Sequence, residues 1–441
     1  MNAQSVTPEI QLEPVFPTTA QRGYFSQNLP LLLRRIALIL IFALLCFREY
    51  EGLPGETKSP LYDSAWAGFR WVDLLLLSLF YVQALWILLT RQQLPRLPKS
   101  LKICTLLVLG AIGAAFLYGF YQNGEHLYFD WRNALIGAGL AVVFSCWIQR
   151  PTALEDAIHV FAWVMGARIL YLLGDYFIAG GGVTGVLPGV RTPVYDGPTL
   201  DGAVLLVLLA FRFTQQTIGR ARIWWVIAGV AAFLLILLSL RRTFWGEMAL
   251  GIVIVAILQK NRRCLWAFVL LPVLLFGYSD RFYLRAKSMN PLAERSSYAI
   301  SNEDHVGDLL DALDVVEEHP VLGIGLGHSY RTRRITDWKT ESWEVHNGLL
   351  HAWVFYGLLG LIAYVSFHVS LFRWLKKLQA TEADPRVRAF SQVGLAYLFG
   401  QFCMSCGFTP WFYGPLGTDI LIFFVLGSLL SLQRQTLRRL S

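Results

Sequence analysis

Between Asp280 and His351 the chain gathers residue types that suit chemistry on a phosphate. The stretch carries Arg281, Arg285, Arg295, Arg331, Arg333 and Arg334, and it closes with Glu344-Val345-His346-Asn347 directly before an apolar run. Guanidinium groups grip phosphate oxygens through paired N–H donors. Imidazole takes or gives a proton near neutral pH. Together at a bilayer surface they suit reaction of an anionic, lipid-anchored substrate. His346 is the candidate for proton transfer, Asn347 can orient a substrate hydroxyl or phosphate, and Arg331 can support them. The other reading of His346 is an interfacial histidine that caps a helix start or satisfies a neighbour. His351, five positions on, points to a different helix face, while His319 and His328 read as solvated or structural.

More cations stand where an apolar chain should exclude them. Arg241 and Arg242 separate two apolar runs. A charge near the centre of the bilayer costs about 2.5–3.5 kcal/mol on insertion scales, and less near its surface. The pair reads either as lipid-facing residues reaching for the interface or as an anion clamp, with Glu247 one and a half turns later able to hold one of them by an ion pair. Arg168, two turns before Asp175 inside an apolar segment, reads either as packing support or as part of the site. The stretch from Gly180 to Pro193 has too many glycines and prolines for a helix. Such backbone can approach a phosphate closely, and Arg191 adds charge.

These residues need a scaffold, and composition names it. The 441 residues are 55% hydrophobic and 15% charged. Their apolar residues fall into blocks long enough to cross the roughly 30 Å apolar slab at about 1.5 Å per residue. The pattern predicts an all-α polytopic membrane protein with about twelve spans, near 30–47, 72–90, 102–121, 132–149, 157–178, 199–217, 222–240, 243–259, 263–279, 347–371, 388–409 and 415–433. Residues 1–29 form a polar tail rather than a signal peptide. Residues 30–279 then hold nine spans, 280–346 one long loop, 347–433 three spans and 434–441 a second tail.

Lys and Arg orient the bundle. They crowd into alternate short loops, as at Arg91, Arg96 and Lys99, at Lys260, Arg262 and Arg263, and at Arg373, Lys376 and Lys377. The positive-inside rule places both termini in the cytoplasm and the long loop outside. The net charge of +8 therefore reads as topology. No basic soluble module interleaved with aromatics argues for nucleic acid. The six cysteines lie in or beside spans, which suggests no disulfide framework. Cys403-Met404-Ser405-Cys406 has CxxC spacing, read as small packing residues ahead of redox or metal chemistry. No metal-binding or nucleotide-binding motif occurs, so neither metal nor cofactor is expected.

Within the long loop, Ser301-Asn302-Glu303-Asp304 has a capping-box pattern. Val306, Leu309, Leu310, Leu313 and Val316 then recur at helical spacing, with Asp308, Asp311, Asp314, Glu317 and Glu318 on the other face. An amphipathic helix of about fifteen residues follows, ended by Pro320. Its apolar stripe is expected to be buried, as a lid or wall over a cavity between spans. Gly323, Gly325 and Gly327 make a flexible apolar turn that can pack on the membrane surface.

Leu238-Ser239-Leu240-Arg241-Arg242-Thr243, the stretch from Glu317-Glu318-His319-Pro320 to Val321-Leu322-Gly323-Ile324-Gly325, and His346-Asn347 resemble the bacterial O-antigen ligase and polymerase superfamily. The resemblance runs from about 190 to 430. It implies a multi-pass enzyme of the bacterial inner (cytoplasmic) membrane with a periplasmic active site. Such an enzyme takes a glycan from undecaprenyl diphosphate and passes it to an acceptor hydroxyl. For a ligase the acceptor is the lipid A-core; for an O-antigen or exopolysaccharide polymerase it is another lipid-linked glycan. The resemblance maps the family's loop histidine to His346 and its diphosphate-gripping arginines to Arg191 and to Arg241 or Arg242. The implied glycosyltransferase is metal-independent, because arginines neutralise the leaving diphosphate. Where relatives often carry an Asn-rich motif, this chain has Tyr195-Asp196-Gly197-Pro198. A reading from another class is a polytopic transporter or lipid-linked glycan flippase.

Overall fold

The computed structural model describes residues 23–46, 64–66, 69–90, 97–122, 127–180, 183–184, 191–194, 197–260, 299–331, 341–342, 345–406 and 416–440. The expected ninth span at 263–279 lies outside the described residues, as do Arg281, Arg285, Arg295, Arg333 and Arg334.

Helices dominate. They are α1 (Gly23–Cys46), α2 (Trp71–Thr90), α3 (Lys99–Tyr121), α4 (Leu127–Trp147), α5 (Pro151–Gly174), α6 (Gly197–Phe213), α7 (Arg220–Leu238) and α8 (Arg242–Leu258). After them come α9 (Ala299–Glu318), α10 (Gly348–Thr381), α11 (Pro385–Ser405) and α12 (Leu416–Leu440). A π-helical turn, Asp175–Ala179, continues α5. The only strands among the described residues are three short antiparallel ladders: β1 (Ser64–Trp66) with β2 (Phe69–Arg70), β3 (Val183–Thr184) with β4 (Arg191–Thr192), and β5 (Tyr330–Arg331) with β6 (Glu341–Ser342). Among the described residues five helices can cross a membrane by length and composition: α2, α3, α5 with its π turn, α7 and α10. The chain is a polytopic membrane protein.

Apolarity sorts the helices. α6 is buried at every position from Pro198 to Ala210, as expected of a helix apolar on all sides. α2 and α3 sit at the rim and leave Leu85, Trp86, Leu89, Leu106, Leu109 and Leu117 on the outer surface. Phe42, Phe144, Phe161 and Phe424 join α1, α4, α5 and α12 edge to face, with centroids 5.1 Å apart for Phe42–Phe424 and 5.3 Å for Phe144–Phe424. Such pairs add about 0.5–1.5 kcal/mol beyond their buried area.

Polar groups fix which helix ends lie together. At one end Arg35 pairs with Asp156 at 2.6 Å, and Arg34 donates to the Trp147 carbonyl at 3.1 Å. Arg386 reaches Glu155 at 3.0 Å, and Arg212 Nε donates to Gln392 at 2.8 Å. These bonds bring the starts of α5 and α11 together with the ends of α4 and α6. At the other end lies a buried triad. Gln401 Nε2 donates to Asp201 Oδ1 at 2.6 Å and to Glu247 Oε1 at 2.8 Å. Asp201, Glu247 and Gln401 each lie about one and a quarter turns inside the end of α6, α8 or α11. That layer places the starts of α6 and α8 beside the end of α11. Glu247, expected to hold an arginine, is committed to Gln401 instead, and Gly400 makes room for it: a Cβ there would meet Glu247 Cγ at 3.0 Å. Gln401→Leu keeps the volume but removes the donor shared by two buried carboxylates. It is expected to lower unfolding stability by about 2–4 kcal/mol, read as a reduced Tm in detergent.

The amphipathic helix departs from expectation. α9 begins at Ala299, so Ser301 lies inside the helix and is not its cap. Its apolar row is split: Val306, Leu310 and Leu313 are 55%, 50% and 42% exposed, while Val316 is buried. Asp308, Asp311 and Ala312 are buried as well.

The glycine turn after α9 also differs, since it is clamped between α3 and α10. Leu326 N donates to the Ala115 carbonyl at 3.2 Å, and Trp353 Nε1 donates to the Pro320 carbonyl at 2.9 Å. A Cβ on Gly119 would strike the Leu326 carbonyl, and Gly325 packs against Gly119 with φ +80°. Opposite the turn, α10 breaks at Gly357, whose φ is 66°. In a continuous helix Leu358 N would donate to the Val354 carbonyl. Here Leu358 N donates to the Val321 carbonyl at 3.2 Å, and the Val354 carbonyl accepts from Ile324 N at 2.8 Å. One helical bond is thus exchanged for two bonds to the loop, which satisfies both backbone groups at the kink.

Candidate active site

The site grows from the residues just before α10. Asn347 caps the helix: its Oδ1 accepts from Leu349 N and Leu350 N, both at 3.0 Å, and its Nδ2 donates to the Cys406 carbonyl at 2.6 Å. The carboxamide therefore ties the start of α10 to the end of α11, and these bonds occupy the groups expected to orient substrate. Val345 is fully buried. His346, between them, is fixed on its backbone side.

Asp308 does the fixing. Its Oδ2 accepts from His346 N at 2.7 Å and lies 3.2 Å from His346 Nδ1. Its Oδ1 accepts from the Tyr330 hydroxyl at 2.7 Å. The His346 side chain is 28% exposed and that of Asp308 is 0% exposed. An imidazole with one nitrogen against a buried carboxylate and an accessible edge has the arrangement that general acid–base chemistry uses. Sequence reasoning missed Asp308, reading it as one of five acidic residues on a solvated face. His351, one turn into α10, is buried beside Phe355 with ring centroids 4.5 Å apart and interacts electrostatically with Asp308.

The arginines are held separately. Arg191 lies exposed in β4, opposite Thr184, and donates through Nη1 to the Gly180 carbonyl at 3.0 Å. Arg241 and Arg242 are half-buried at the start of α8, after Leu240 in a left-handed turn with φ 57°. Trp245 Nε1 closes that turn onto the Ile236 carbonyl at 2.9 Å. Arg191 precedes α6, Arg241 and Arg242 open α8, and His346 precedes α10. The Asp201–Gln401–Glu247 layer and the Asn347–Cys406 bond place these four at the same end of the bundle, away from the Arg35–Asp156 and Arg386–Glu155 pairs.

Arg331, exposed in β5, pairs with Glu341 in register and follows Tyr330. Arg168 lies half-buried in α5 with its guanidinium 5.8 Å from the Tyr171 ring centre, a cation–π distance. His319 is exposed and His328 half-buried. Cys403 and Cys406 are free thiols. Among the described residues no group of three or more His, Cys, Asp or Glu side chains is placed to hold a metal.

No curated protein matches the chain. A solved structure described as "Structural coordination of polymerization and crosslinking by a peptidoglycan synthase complex" is similar over 74% of this chain and 97% of that one, with 17% identity and a TM-score of 0.45. Likeness at that level carries no functional argument. The sequence comparison is more specific: residues 227–365 match the O-antigen ligase family. That span includes Arg241, Arg242, the glycine turn, Asp308 and His346. About a third of the chain is thus similar to the O-antigen ligase family.

Proposed function

We propose that the protein transfers a glycan from undecaprenyl diphosphate to an acceptor hydroxyl at the periplasmic face of the bacterial inner membrane, as an O-antigen ligase with lipid A-core as acceptor. The observation that carries this reading is the His346–Asp308 pair at the head of α10, inside the matched residues and at the same bundle end as Arg191, Arg241 and Arg242. Basic residues crowd the opposite end, which supports a cytoplasmic placement for that end and for both termini.

The chemistry follows from these groups. His346 removes the proton of the acceptor hydroxyl as its oxygen bonds to the anomeric carbon. The carbon–oxygen bond to phosphate breaks, and its electron pair leaves on the diphosphate. Arg191, Arg241 and Arg242 receive that charge, which is electrostatic stabilisation without a metal. Surrounding spans leave the polyprenyl tail in lipid.

Arg191→Ala and Arg242→Ala test the clamp. Each is expected to raise the KM for the lipid-diphosphate donor about tenfold or more, the size of one charge-assisted contact. Steady-state transfer by the purified, folded variants measures it, and an unchanged KM for both would remove the clamp. The acceptor decides between relatives. A deletion strain that loses long glycan from lipopolysaccharide but keeps lipid-linked polymer indicates a ligase. A strain making only single-repeat glycan indicates a polymerase. A transporter would also show a broken helix, as at Gly357. The backbone groups at that break, however, bind the 321–324 segment.

A further inference from the structure

We infer that Asp308 is the positioning residue for proton transfer: it holds His346 in the form protonated at Nδ1, so that Nε2 is the nitrogen that takes the acceptor proton. The inference rests on His346 being the base, and it adds which nitrogen acts and what orients it. The geometry is that of one carboxylate oxygen serving two donors of one residue. Oδ2 accepts the backbone N–H of His346 at 2.7 Å and faces its Nδ1 at 3.2 Å. Backbone and ring are thereby oriented together. The second oxygen is occupied by the Tyr330 hydroxyl at 2.7 Å. All three partners can donate, which suits an acceptor-only carboxylate.

Burial makes the arrangement selective. Asp308 is wholly buried, whereas part of the imidazole is open. With Nδ1 against the carboxylate, Nε2 belongs to the edge away from it. A lone pair there accepts the hydroxyl proton, and the resulting imidazolium forms beside the Asp308 charge that stabilises it. The proton then passes to water or to the departing diphosphate. Tyr330 from β5 and His351 from α10 interact with Asp308, and three positions along α9 Asp311 is also buried. The glycine turn sets the reach of α9: its clamp on α3 and α10 begins where α9 ends, and fixes where Asp308 stands relative to His346.

The test uses the full chain in lipid nanodiscs, with a lipid-diphosphate-linked glycan donor and a lipid A-core acceptor. Asp308→Asn retains an acceptor for His346 N but faces Nδ1 with an amide, favouring the wrong tautomer. It should lower kcat about a hundredfold or more with the donor KM changed less than about threefold. The double variant Asp308→Asn/His346→Ala should be no slower than His346→Ala alone, because both remove the same function. Tyr330→Phe leaves the carboxylate in place and should lower kcat less than about tenfold. Nitrogen-15 NMR of the unsubstituted protein reads the tautomer directly, so the inference stays testable if Asp308→Asn does not fold. An Nε2–H signal at His346, or Asp308→Asn with near-normal kcat beside an inactive His346→Ala, overturns it. An active His346→Ala overturns the base assignment itself.

Discussion

His346→Ala is expected to lower glycan transfer about 10²–10⁴-fold, the contribution of a well-placed general base. The protein should remain folded and inserted, because His346 is partly exposed and the helix cap belongs to Asn347. Lipid-linked glycan should accumulate in cells, and KM for the donor should change little. Transfer rates of purified protein and the lipid-linked pool in a complemented deletion strain provide the measurement. The effect should exceed that of any single arginine variant: in the proposed mechanism three arginines share the diphosphate, whereas one imidazole, that of His346, takes the proton. Normal transfer by His346→Ala would remove the mechanism.

Gly357→Ala is expected to be the most damaging small substitution in the scaffold. Gly357 has φ 66°, a conformation that costs a non-glycine residue about 1–3 kcal/mol, and an added Cβ would collide with the Val321 carbonyl. Relief requires the 321–324 segment to move, which breaks the bonds of Leu358 and Ile324, worth about 1 kcal/mol each net. The expected loss is roughly 2–5 kcal/mol, with reduced Tm and reduced activity together. Activity falls because undocking the turn also releases α9 and with it Asp308. Gly113→Ala in α3 is the control, because a Cβ added there would meet nothing within 4 Å. Equal effects at both positions would show that α10 does not depend on the clamp.

The bundle is legible in the sequence because hydropathy records the length of lipid to be crossed. The spans expected at 72–90, 222–240 and 243–259 appear as α2 (71–90), α7 (220–238) and α8 (242–258). Hydropathy ends the tenth span at 371, but α10 runs to Thr381, because a helix can leave the apolar slab at Arg373 and continue in the polar layer. The candidate site is legible in part. A histidine before an apolar run, and arginines between such runs, announce themselves by being out of place. Asp308 does not, because amphipathic periodicity finds two faces without saying which one meets protein. On α9 the inward face mixes Asp308 and Asp311 with Ala312 and Val316, and Asp308 meets the imidazole of His346 and the hydroxyl of Tyr330. The bond that Asn347 makes across the bundle escapes sequence reasoning for a related reason: its Nδ2 donates to the Cys406 carbonyl, 59 positions away. Distance along one helix suggests an arginine partner for Glu247, whereas its partner comes from α11.

The exchange of hydrogen bonds at Gly357 has an evolutionary corollary. Val321 and Ile324 engage α10 in a fixed register, and Leu326 engages α3 two residues later. A single inserted or deleted residue between His319 and Leu326 would slip that register and place side chains where only glycine fits. Length variation among related loops is therefore expected outside this clasp, and the spacing from proline to the second glycine becomes a ruler built into the chain.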